Sequence, residues 1–207
     1  MIKLIDIAKK HKTDKCDKYH VFRPTGHTYI DIYEAYFESV RQKELNLLEI
    51  GVHKGRSLRM WRDYFPQSRI FGLDINPNTF FQEERIDITI GSQADPQVLD
   101  KLCQKVDCFD IIVDDGSHVN HMTIDSFNYL FKKIRSGGWY VVEDLACSYE
   151  NANPQWPGMV HNVDRDFSNK REEIENWFCP LIREMDHSQG EIETIQFWSM
   201  MAFIKKT

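Results

Sequence analysis

The chain has 207 residues, 42% of them hydrophobic and 28% charged, with a formal net charge of -6. That length suits one domain with a full core, and the acidic balance argues against broad binding to nucleic acid or anionic membranes, which needs a basic surface. No run of roughly 18 apolar residues occurs, so no segment qualifies as a membrane-spanning helix.

The N-terminal MIKLIDIAKKHKTDK is charged and amphipathic, unlike the apolar core of a secretion signal, and residues 4–10 read as a short helix. A polar, turn-prone stretch runs to about Thr28. Tyr29–Val40 then carries aromatic and aliphatic residues at helical spacing. Leu47-Leu48-Glu49-Ile50 reads as a strand entering Gly51. Leu58, Trp61 and Phe65 share one face of a helix that Pro66 stops. RIFGLDI is a second strand ending at Asp74, and Ile86–Ile90 a third, ending at Gly91; a helix follows over 96–105.

A fourth strand covers 109–113, and a helix over 119–134 closes at Ser136-Gly137-Gly138. Trp139–Val142 is the fifth strand. NANPQWPG, from Asn151 to Gly158, reads as a loop, either a lid over an acceptor or ordinary surface. Residues 168–186 are helical, and EIETIQFWSMMAFIKK forms two β segments around a bend. This alternation predicts an α/β, Rossmann-like fold: a mostly parallel seven-stranded sheet, helices on both faces, and an antiparallel C-terminal edge. Residues 1–207 read as a single domain, with 1–40 as an N-terminal helical cap and 150–190 as a substrate-side lid and helix. Cys16, Cys103, Cys108, Cys147 and Cys179 are odd in number and lack a CxxC pair, which predicts reduced thiols in a cytoplasmic protein.

Two acidic pairs carry the chemistry. Asp114-Asp115 in IIVDDGSH and Glu143-Asp144 in WYVVEDL each end an apolar run, as at the C-terminal tip of a buried parallel strand, where open α/β sheets bind ligands. Carboxylates gathered there repel one another unless a cation sits between them. His118, three residues after Asp115, adds a side chain of the type that exchanges protons near neutral pH. A hard divalent metal beside a general base is the reading. Each group also has a plainer one: Asp114 capping a turn or touching cofactor, His118 as a structural histidine, and Glu143-Asp144 as a solvated strand end.

Gly51 and Gly55 bracket the turn after the first strand at GxxxG spacing, not the GxGxxG that cradles a dinucleotide diphosphate. A plain tight turn fits that spacing equally well. Asp74 is placed to bond ribose hydroxyls, and Gly91-Ser92-Gln93 could line an adenine. Together these features predict a nucleoside site.

LLEIGVHKGRSLRMW, IFGLDI, IIVDDGSHVN and GGWYVVEDL resemble the class I S-adenosylmethionine-dependent methyltransferases, above all the metal-dependent sugar O-methyltransferases of macrolide biosynthesis, the mycinamicin type. Lys12-Thr13-Asp14-Lys15, then His27, Tyr29 and Tyr33 as HxYxxxY, belong to the same likeness, which runs from about Lys12 to Tyr149. The resemblance implies Mg²⁺ held by Asp115, Glu143 and Asp144, with His118 as general base. It implies S-adenosylmethionine contacts at Glu49, Gly51, Gly55, Ser57, Asp74 and Gln93, and Gly91, Ser92 and Asp114 border the same site. The Lys15, His27 and Tyr29 region would close over the methionine end or the metal side. The expected reaction is O-methylation of a small polar acceptor, a sugar hydroxyl; family analogy leaves room for a homo-oligomer.

Two departures bear on the substrate: the chain lacks the extra N-terminal domain of some members, and residues 150–190 differ where acceptors are gripped. Two other classes compete: a dinucleotide-dependent oxidoreductase, which the missing GxGxxG weakens, and a non-catalytic S-adenosylmethionine-binding protein, which has no need of clustered like charges.

Overall fold

The computed structural model describes residues 2–16, 26–148 and 169–207. The expected lid at Asn151–Gly158 lies outside the described residues. Five parallel strands, β1 (Asn46–Ile50), β2 (Arg69–Asp74), β3 (Ile86–Ile90), β4 (Phe109–Asp114) and β5 (Ile134–Val142), join β6 (Ile192–Trp198) and β7 (Met201–Lys206) in one sheet. The order is β3-β2-β1-β4-β5-β7-β6, and β7 runs antiparallel to both its neighbours. This is the mixed sheet that the alternation predicts.

The central strands are continuous apolar runs because both their faces are covered. Side chains alternate between faces with period two. Leu47, Val113 and Val141 therefore pack on one side with α1 (Leu4–His11), α2 (Tyr29–Phe37) and α3 (Arg56–Tyr64). Leu48, Ile112 and Tyr140 pack on the other with α4 (Pro96–Cys103), α5 (Asn120–Leu130) and α6 (Arg171–Asp186). The strand order turns back between β1 and β4, which opens a crevice at their C-terminal ends. No helix among the described residues is long and apolar enough to cross a membrane.

One boundary differs from the sequence reading. The helix expected over 119–134 stops at Leu130, and β5 already begins at Ile134. Ile134 pairs with Phe109, and the register then shifts so that Ile111 faces Trp139. The glycines that resemble a helix stop lie in this irregular stretch of the strand. Gly137 adopts φ 78°, and a Cβ on Gly138 would lie 2.7 Å from the carbonyl oxygen of Asp110.

Gly51 explains how the site is assembled. Its φ is 95°, and a Cβ there would fall 1.9 Å from the carbonyl oxygen of Asp115. Asp115 N–H also donates to the Ile50 carbonyl at 3.0 Å. The turn after β1 and the loop after β4 thus meet backbone to backbone, so this glycine serves an internal contact. Gly51→Ala is expected to cost roughly 2–4 kcal/mol from backbone strain and overpacking, measured by urea unfolding; a loss of a few tenths would show that the two loops separate easily.

Candidate active site

The acids at each strand tip diverge. Asp114 turns toward α5 and is buried, its carboxylate accepting from Gln93 Nε2, Ser126 Oγ and Tyr140 Oη. Burial raises its pKa while those donors oppose the shift. Gln93 is buried too, and its Oε1 accepts from Ser117 N–H at 2.8 Å. The side chains of Asp114 and Gln93 are therefore spent on each other and on the loop after β4. Both residues were expected against the cofactor, and the structure places their side chains in this internal network.

On the opposite face lies a buried ion cluster. Lys15 projects from a short 3₁₀ turn, Asp14–Cys16, and its side chain is 2% exposed. Its Nζ stands 2.6 Å from Asp115 Oδ2, 2.7 Å from Glu143 Oε2 and 3.2 Å from Glu49 Oε1. Burial opposes the charge on Lys15, but the three carboxylates outweigh it and hold the amine well above its usual range. Glu143 is raised strongly by burial, against the pull of Lys15, and its Oε1 accepts from the Tyr33 hydroxyl. Tyr29 donates to Asp144 Oδ1 at 2.7 Å. Residues four apart on a helix share a face, so the two tyrosines of HxYxxxY each hold one acid of the Glu143-Asp144 pair. Tyr33 is a site residue that the sequence reading left without a role, though its spacing from Tyr29 carried the signal.

Asp115, His118 and Asp144 each offer a donor atom, and these atoms lie within 4.8 Å of one another. His118 Nε2 is 3.9 Å from Asp115 Oδ1 and 3.7 Å from Asp144 Oδ2. His118 and Asp144 adopt φ 56° and 54°, left-handed backbone that is unusual without glycine. The structure brings Asp115 and Asp144 together, but turns Glu143 inward to Lys15 and Tyr33. A set of two carboxylates fits Mg²⁺, which keeps several waters and binds through one or two acids plus substrate oxygens. Imidazole nitrogen suits transition metals better, which leaves His118 available for protons.

The other expected cofactor residues lie on β1, on the turn and helix after it, and at the ends of β2 and β3. Glu49 is fully buried beside Ser57, and neither of its oxygens makes a well-directed hydrogen bond among the described residues, although Oε1 is within ion-pair range of Lys15. Burial, against the pull of Lys15, pushes its pKa up to about 7. A buried carboxylate with acceptor capacity to spare fits a ligand carrying a cationic or N–H group. Asp74 accepts from Val52 N–H, His53 N–H and Asn76 N–H, leaving about one of its four acceptor positions for a ribose hydroxyl. Next to it Ile75 is 70% exposed, an apolar surface that the sequence reading passed over. Gly55 and Gly91 answer to packing: a Cβ would strike the Phe81 ring at 2.2 Å and Val98 at 2.5 Å. Ser92 Oγ accepts from Ala94 N–H within its own turn.

No family model matches the chain. It is 38% identical over 168 residues to demethylmacrocin O-methyltransferase of Streptomyces fradiae, an alignment that takes in 78% of this chain and 39% of that protein. Mycinamicin VI 2''-O-methyltransferase of Micromonospora griseorubida is 36% identical over 168 residues, with the same shares. The chain is similar to these O-methyltransferases over most of its own length. A solved structure of the MycE methyltransferase from the mycinamycin biosynthetic pathway, in complex with Mg, SAH and mycinamycin VI, matches at a TM-score of 0.78 and 30% identity, covering 99% of this chain and 54% of that one. A SAH-bound methyltransferase of Podospora anserina shares the fold, with a TM-score of 0.63 at 13% identity over 100% of this chain and 88% of that one. The chain thus spans about two fifths of the curated relatives it matches and about half of the MycE chain.

Two measurements probe the ion cluster. Lys15→Met leaves buried carboxylates without their counter-charge and is expected to lose about 3–5 kcal/mol at neutral pH in denaturant unfolding; wild-type stability would remove Lys15 from that role. Glu49 has a raised pKa in the folded state, so its contribution to stability is full below about 4.5 and is lost as pH rises through about 7. Glu49→Gln should therefore gain on the wild type between pH 5 and 8, by on the order of 3 kcal/mol. Parallel melting curves across that range would show that Glu49 does not titrate there.

Proposed function

We propose that this chain transfers a methyl group from S-adenosylmethionine to a hydroxyl of a small polar acceptor, a sugar or sugar-bearing natural product, with Mg²⁺ at the strand tips. The observation that carries the reading is the convergence of Asp115, Asp144 and His118 one strand away from the buried Glu49. The names of the relatives, and the Mg and SAH in the MycE complex, support it. The five cysteines form no disulfide among the described residues, which supports a cytoplasmic setting.

S-adenosylmethionine, held by the crevice around Glu49, Asp74 and Ile75, supplies an electrophilic methyl group on a sulfonium. Asp115 and Asp144 would hold Mg²⁺, which when bound would supply Lewis acidity to an acceptor hydroxyl. The chain's own groups do the rest. His118 Nε2 faces the same carboxylates and takes the acceptor's proton, and Asp115 and Asp144 stabilise the imidazolium that forms. The Tyr29 hydroxyl fixes Asp144, while Lys15 and Tyr33 keep Glu143 turned inward. Holding acceptor and donor in near-attack geometry contributes roughly 7–11 kcal/mol of the barrier.

The test is a methyl-transfer assay on glycosylated acceptors. His118→Ala should lower turnover by about 10²–10⁴-fold and leave S-adenosylhomocysteine affinity as in the wild type. Exhaustive chelation should abolish turnover, and returned Mg²⁺ should restore it. Full activity after chelation would sink the metal role, and binding of NAD in place of S-adenosylhomocysteine would sink the methyl-transfer reading.

A further inference from the structure

Asn169 stands just before α6, 51 residues from His118, yet its side chain reaches both strand-tip loops. Its Nδ2 donates to the carbonyl of His118 at 2.7 Å and to the carbonyl of Cys147 at 2.9 Å. Its Oδ1 accepts from Asn120 N–H at 3.0 Å. Both amide hydrogens and the carbonyl are thus used. All three partners are backbone groups flanking the triangle of Asp115, His118 and Asp144.

Two details make this more than a chance contact. His118 holds a left-handed backbone, a conformation that persists in a non-glycine residue only when its surroundings enforce it, and its own carbonyl is one that Asn169 grips. Cys147 N–H in turn donates to the Asp144 carbonyl at 2.8 Å, so the grip on Cys147 passes directly to the second left-handed residue of the triangle. The linkage is returned from the other side: buried Asn120 donates through Nδ2 to the Lys170 carbonyl at 2.9 Å and to Glu173 Oε2 at 2.8 Å. The start of α6 is therefore fastened both to the loop after β4 and to the first residue of α5.

We infer that Asn169 is a positioning residue of this site, one amide that sets the separation of the two strand-tip loops and with it the spacing of Asp115, His118 and Asp144. The inference rests on reading that triangle as a cation site. Second-sphere partners of metal ligands typically change affinity by about 10–100-fold when removed. Asn169→Asp is the sharp variant, because it keeps size and acceptor but turns bare oxygens onto two carbonyls. Electrostatics alone would make the added charge tighten cation binding; a lost clamp loosens it.

The experiment titrates Mn²⁺ into wild type, Asn169→Ala and Asn169→Asp by calorimetry and follows amide hydrogen exchange in the cation-free proteins. Both variants should bind Mn²⁺ about 10–100-fold more weakly, with S-adenosylhomocysteine affinity retained, and residues 117–121 and 145–148 should exchange faster together. Ser68→Ala, which removes a buried hydroxyl at the far end of β2, supplies a destabilised control with unchanged Mn²⁺ affinity. Wild-type affinity in both asparagine variants, or tighter binding in Asn169→Asp, overturns the inference. If the wild type binds no Mn²⁺, the cation reading fails instead, and the exchange data still decide the clamp: unchanged protection in either segment rejects it.

Discussion

The ammonium of Lys15 inside three carboxylates is the interaction on which the site depends. Glu49, Asp115 and Glu143 arrive from three neighbouring strands, and at such distances ionised acids out of water cannot coexist without a counter-charge. Lys15 supplies it from 100 residues before Asp115 and 128 before Glu143, so the N-terminal segment is fastened to the centre of the sheet. The same contact divides the acids into an inner group and an outer one. Glu143 is enclosed, Asp115 has one oxygen on Lys15 and the other near His118, and Asp144 faces the histidine.

That division follows from strand geometry. Consecutive residues at a strand tip point to opposite faces, so an Asp-Asp or Glu-Asp pair cannot present both members to one ligand unless the backbone turns. Asp114 pays the cost of burial on the α5 side, where Gln93, Ser126 and Tyr140 satisfy it. Asp144 escapes the alternation through its left-handed backbone and meets Asp115 across the strand gap.

Much of the architecture was legible because it is local. Each buried strand is a short apolar run ended by glycine or acid, and the helices show their apolar stripes. The start of β5 was not legible: Ser136-Gly137-Gly138 has the chemistry of a helix stop, and only pairing with Phe109 makes it part of a strand. Among site residues, the gathering of two acidic pairs and His118 at strand tips could be read, and the resemblance pointed to Lys15 and to Asp115, Glu143 and Asp144 as metal ligands. What Lys15, Gln93 and Glu143 touch could not be read, since periodicity reports which face a side chain occupies and not what stands opposite. Asn169 carried no local signal at all; its partners lie 22 to 51 residues away.

The two phenols of α2 have a consequence for traffic into the crevice. Tyr29 and Tyr33 bind their carboxylates from the first turns of that helix, in a setting closed to water. Swinging α2 aside would break both bonds at once and strand the acids they hold, so this helix is a fixed wall and not a hinged door. His118, across the same triangle, keeps 21% of its side chain exposed.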